Sequence, residues 1–103
     1  MPQLLFGTGR ANITPTSSVE LCGYGPYLER RSTRVYQELY STALGMSDGN
    51  NIFVWVSNDL IWADRSLVDE THRIVQKRYA LDPAHVVITN THTHSGPATM
   101  KTV

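Results

Sequence analysis

The stretch His85–Ala98, HVVITNTHTHSGPA, decides how the chain is read. Val86, Val87 and Ile88 form a β-branched run of the kind that makes a buried strand. Ser95-Gly96-Pro97 then supplies turn residues, so the chain leaves the sheet there. Between strand and turn stand His92 and His94. Residues two apart on a strand point to one face, so an extended conformation kept as far as Ser95 puts both imidazoles in one cleft. Thr91, Thr93 and Ser95 then fall on the opposite face.

Working outward, Asp64–Ala80 carries an apolar stripe of Leu67, Val68, Thr71, Ile74, Val75 and Tyr79 at helical spacing. Asp64 or Ser66 can cap its start, and Lys77 and Arg78 suit the negative end of the helix dipole. Asp69 and Arg73 are spaced for an ion pair on one face, and His72 falls on the polar side. Leu81-Asp82-Pro83 closes the helix and His85 opens the next strand. Upstream, Val35–Met46 and Asn51–Ser57 read as the arms of a β-hairpin about Ser47-Asp48-Gly49-Asn50, because Asp-Gly accepts a tight turn. The second arm is apolar on both faces, which predicts a central strand covered on both sides.

Strand 51–57, helix 64–80 and strand 85–91 therefore make a βαβ unit with parallel strands and a right-handed crossover. The expected fold class is α/β, a mixed β-sheet in which a β-hairpin precedes that unit. Asp59 and His92 then lie at the same carboxyl edge of the sheet, where open α/β folds place ligands. Asp59 can orient a histidine there or cap local backbone. The beginning, Leu4–Thr14, reads as one strand bent or bulged at Gly7 or Gly9. Gly7-Thr8-Gly9 lacks a third glycine and a following helix, so it is no phosphate loop. Thr14–Arg34 is a connector broken by Pro15, Gly23, Gly25 and Pro26, with Arg30, Arg31 and Arg34 expected in solvent.

Composition sets the outer bounds. The 103 residues, 41% hydrophobic and 17% charged, make at most one globular domain. Nine basic and nine acidic side chains balance, which gives electrostatics no case for a nucleic-acid partner. Cys22 is the single cysteine, so neither an internal disulfide nor a cysteine-built zinc site can form within one chain. It reads as a small half-buried hydrophobe. No window holds the roughly 18 apolar residues of a transmembrane helix. Met1–Phe6 shows neither the basic nor the long apolar region of a signal peptide, which makes a cytoplasmic location the default expectation.

His-x-His by itself leaves four readings open: a metal ligand beside a polar neighbour, a metal-free acid–base pair, two structural histidines, or an exposed loop. The wider segment Thr91-His92-Thr93-His94-Ser95-Gly96-Pro97 resembles the THTHSGP signature of the neutral ceramidase family. Gly7–Thr14 is similar to that family's G-x-G-R-A-D-I-T opening, with Asn12 where the family has Asp. Gly23-Tyr24 resembles its M-G-Y segment, Leu39–Gly49 its R-A-like strand and D-G turn, and Val54–Leu60 its V-F-V-S-x-D-L strand.

The resemblance implies a zinc-dependent hydrolase that cleaves the amide of ceramide or a related N-acyl lipid. Residues 1–103 would be the amino-terminal portion of its catalytic domain, incomplete without the rest of that domain or a homo-oligomer. It implies zinc on His92, and a catalytic His94 that positions or polarises the substrate amide. It implies a substrate cleft at Gly23, Tyr24, Ser95 and Gly96. The family's other zinc ligands, a histidine, a glutamate and a tyrosine, match no residue here. Many of its members are secreted or periplasmic. The absence of a Gly-x-Ser-x-Gly elbow gives a serine hydrolase no support. The alternative is a ceramidase-like α/β module, without metal or catalysis, that serves folding or interaction.

Overall fold

A computed structural model describes residues 3–23 and 30–99. It contains four strands, β1 (Leu5–Asn12), β2 (Tyr40–Ser47), β3 (Ile52–Asn58) and β4 (Val86–Asn90), and one helix, α1 (Arg65–Tyr79). The strands form a mixed sheet in the order β1-β2-β3-β4. β1 and β2 are antiparallel, β2 and β3 form the hairpin, and β3 and β4 are parallel. The α/β class and the βαβ unit are therefore as the patterning predicts.

The turn between β2 and β3 closes through Asp48, whose carboxylate accepts from the amides of Asn51 at 2.7 Å and Asn50 at 2.9 Å. These two bonds, Asn51 first, hold its pKa below the ordinary carboxylate value. Gly49 sits in the turn at φ +98°, a conformation that side chains resist.

Helix α1 starts at Asp64, whose side chain accepts from the Leu67 amide at 3.0 Å, with the Ser66 hydroxyl donating to the same carboxylate. It ends at Ala80 in the left-handed conformation (φ +53°), where the Ala80 amide donates to Gln76. The ion pairs on its surface are Arg73 with Glu70 and Arg65 with Asp69, not Asp69 with Arg73. A shorter partner three residues away, in reach of the guanidinium fork, outcompetes the one expected. His72 also departs from its expected place in solvent. Its Nε2–H donates to the Val86 carbonyl at 2.9 Å and ties α1 to the start of β4.

Several boundaries differ from the patterning. β2 begins at Tyr40 rather than Val35, and residues 33–38 are exposed irregular chain. Pro83–His85 forms a single 3-10 turn capped by Asp82, so β4 opens at Val86. β1 pairs residue for residue with β2 from Leu5↔Ser47 to Asn12↔Tyr40, without the bulge predicted at its glycines.

The larger correction concerns β3. Register puts Phe6, Met46 and Phe53 in one row and Leu44, Trp55 and Val87 in the next, all on one face. That face is open, with Phe6 62% and Trp55 50% exposed. β3 is central in the sheet but is not covered on both sides by the described residues. Apolar composition reports a face that would be buried, whereas the covering layer has to come from elsewhere. Buried apolar side chains among the described residues are Leu60, Ile61 and Val86. No described helix is long and apolar enough to cross a membrane.

The left-handed cap gives a direct test. Ala80→Gly removes a Cβ from an unfavourable conformation and is expected to raise unfolding stability by about 1 kcal/mol. Asp64→Ala is expected to lower it by about the same amount. Denaturant midpoints of the two variants, moving in opposite directions from the parent, check both ends of the helix.

Candidate functional site

The parallel ladder runs past the end of β4. Thr91 N donates to Asn58 O and His92 N to Leu60 O, each at 2.9 Å. His92 then turns the chain with φ +65°, so the extended conformation does not persist to Ser95. The two histidines meet nonetheless, with ring centroids 5.0 Å apart and edge to face. What joins them is this turn, not strand alternation.

His92 is fixed twice. Its amide holds Leu60 O, and its Nδ1 lies 2.9 Å from Ile61 O. A carbonyl only accepts, so Nδ1 carries a proton, and in the neutral ring the lone pair is on Nε2. This is how metal-binding histidines are commonly held, with one nitrogen on a carbonyl and the other on the ion. Leu60 and Ile61 are themselves buried, which makes both carbonyls rigid supports. Ile61 thus occupies the position that Asp59 offered in the sequence. Asp59 instead accepts from Tyr40 N at 2.9 Å and donates its own amide to Tyr40 O, extending the hairpin ladder.

His94 belongs to a different support. Residues 19–22 form a narrow ribbon between 30–32 and 96–98: Leu21 N donates to Arg30 O, Cys22 N to Gly96 O, and Ala98 N to Glu20 O. Gly23 ends the ribbon at φ +116°, and a Cβ there would meet the Cβ, Cγ and Nδ1 of His94 at 2.8 Å. Gly23 is therefore where the His94 ring lies against backbone. Gly96 is buried, packed near Thr93 and the Asp59 carbonyl. Tyr24 lies outside the described residues. Cys22 is a half-buried free thiol.

Ser95 faces elsewhere. With Thr93 it lines an open groove of about 1270 Å³ that also touches Arg10, Tyr40 and Asp59 and includes neither histidine. The alternation read from the sequence survives to that extent: Thr93 and Ser95 are on the side away from the imidazoles. Two neighbours went unread in the sequence. Trp62, 46% exposed, has its ring centroid 6.4 Å from that of His92. Arg30, expected in solvent, donates from Nη2 to His94 O at 2.8 Å and to Cys22 O at 3.3 Å. A lone tryptophan or arginine in a loop carries no periodic signal that could have placed either one.

As a zinc site the arrangement is partial. Zinc takes three or four protein ligands, and no cluster of three histidine, cysteine, aspartate or glutamate side chains occurs among the described residues. His92 fits as one ligand, with His94 beside it.

The family profile described as "Neutral/alkaline non-lysosomal ceramidase, N-terminal" matches residues 4–103. The chain belongs to that ceramidase family. A solved neutral ceramidase from Pseudomonas aeruginosa superposes on it with a TM-score of 0.83 at 26% identity, over 92% of this chain. A second structure, a ceramidase complexed with C2, has a TM-score of 0.83 at 24% identity over 92% of this chain and shows the same fold. The chain spans 16% and 15% of the lengths of those two proteins, so its sheet and helix correspond to part of a larger ceramidase fold.

Gly23 and Gly49 make a controlled comparison. Both have positive φ, but only at Gly23 would a Cβ strike a side chain. Gly49→Ala is expected to cost about 1 kcal/mol in backbone strain, and Gly23→Ala about 1–3 kcal/mol more from displacement of His94. Equal losses of unfolding free energy in the two variants would remove the Gly23–His94 contact from the account.

Proposed function

We propose that residues 1–103 are the amino-terminal portion of a ceramidase-like catalytic domain. The complete protein is then a zinc-dependent hydrolase that cleaves the amide bond of ceramide or a related N-acyl lipid. Family membership supports the substrate class. The observation that carries the metal is the fixed tautomer of His92, whose Nδ1–H is held on Ile61 O and whose Nε2 is left as a ligand. The remaining ligands come from the rest of the catalytic domain or from another copy.

When bound, zinc supplies Lewis-acid chemistry, polarising a carbonyl and making water a nucleophile near neutral pH. The residues of this chain prepare for that. Ile61 O orients the His92 ring. His94, with its ring 5.0 Å from that of His92, can donate a hydrogen bond to the amide carbonyl oxygen as negative charge develops on it. Gly23 keeps backbone, not a side chain, against His94 and borders the substrate cleft, whereas Ser95 and Gly96 lie away from it. Trp62 offers an exposed apolar ring beside His92, suited to excluding water and meeting an acyl chain.

The test is zinc per chain by elemental mass spectrometry on the longest natural gene product, beside its His92→Ala variant, followed by N-acylsphingosine hydrolysis. About one zinc in the parent, lost together with hydrolysis in the variant, is expected for a single catalytic site. No zinc in either protein would leave a ceramidase-like module in which THTHSGP is inherited architecture.

A further inference from the structure

His92 and His94 are two residues apart and are held by different parts of the chain. His92 hangs on the Leu60 and Ile61 carbonyls, at the end of β3. His94 hangs on the ribbon of residues 19–22, through Gly23 and through the bonds that join 96–98 to 20–22. The Arg30 side chain crosses from the ribbon to the histidine loop. The half-buried Arg30 places a single nitrogen, Nη2, on both Cys22 O and His94 O, at 3.3 and 2.8 Å. Cys22 directly precedes the glycine against which the His94 ring rests. The guanidinium thus fixes the carbonyl of His94 and the backbone beneath its ring at once.

We propose that Arg30 is a positioning residue for His94, setting where that imidazole stands relative to the metal ligand without touching substrate. This rests on the role of His94 in the proposed hydrolysis. Charged donors make the stronger hydrogen bonds to carbonyls, and a guanidinium nitrogen that donates to two of them restricts both. His92 has supports of its own, so loss of the clamp shifts one histidine and spares the other. The two readouts therefore separate: metal retention follows His92, and turnover follows His94.

The experiment uses the longest natural gene product with Arg30→Met and Arg30→Lys, each alone and with His94→Ala. Hydrogen exchange read by mass spectrometry gives a measure independent of activity. In Arg30→Met the amides of Cys22 and Ala98 are expected to exchange about tenfold faster or more, while that of His92 keeps its protection. Zinc content is expected to stay at the parent level, kcat to fall between about tenfold and a hundredfold, and KM to stay within about twofold. Arg30→Lys is expected to recover most of the loss. In the His94→Ala background, Arg30→Met is expected to change kcat no further. Unchanged exchange at Cys22 and Ala98 overturns the clamp, whatever the enzyme does. Loss of zinc along with turnover, or an equal fall in kcat with His94 already removed, overturns the positioning role. A parent protein without zinc or hydrolysis fails the proposed function instead, and the exchange result still decides the clamp.

Discussion

Parallel pairing of β3 with β4 is the constraint from which the rest follows. Two parallel strands cannot be joined by a tight turn, so the chain crosses over through α1 and both strands leave the sheet at one edge. There the pairing continues for two more bonds, Thr91 to Asn58 and His92 to Leu60. The chain after β4 is therefore laid against the chain after β3. That brings His92 to the Ile61 carbonyl, and with it a defined tautomer. Without the crossover, neither histidine would have a reason to stand where it does.

Strain and burial at this edge are coupled. His92 is a non-glycine residue at positive φ, which costs on the order of 1–3 kcal/mol and persists only where the surroundings over-determine it. Leu60 and Ile61 provide that determination, since they are two of the three buried apolar side chains among the described residues. The best-packed part of the chain lies directly behind the candidate ligand. The hairpin half is the reverse, with Phe6, Phe53 and Trp55 open on one face of the sheet. A small chain buries a limited share of its surface, and an apolar face of this extent marks a docking surface more than a finished exterior.

Division of support between the two histidines has a chemical consequence. A metal ligand and a neighbouring hydrogen-bond donor have to be placed independently, because one answers to the ion and the other to the substrate. In the proposed site the sheet edge carries His92, the candidate ligand, and the 19–22 ribbon carries His94, the two rings meeting in a T-shaped contact. Gly23 belongs to the ribbon because a side chain there would push the His94 ring away.

Local chemistry was enough to determine the β2–β3 turn, the caps and span of α1 and the parallel βαβ unit, and to single out His92 and His94 as candidates. Each depends on neighbours in the chain: Asp48-Gly49 for the turn, Asp64 for the cap, apolar spacing for the helix, and β-branched residues for the strand. The motifs resembling the ceramidase family were legible for the same reason, as contiguous strings. Tertiary structure alone decided what touches those histidines. Ile61 rather than Asp59 meets Nδ1, because the ladder extends beyond the strand by a distance that no local pattern encodes. Arg30 leaves solvent for two carbonyls because a ribbon bond brings residue 30 beside residue 21, and the loop from residue 91 packs against that ribbon. His72 and the open face of β3 follow the same rule. Periodicity tells which side chains share a face, but only the packed chain shows whether anything is there to meet them.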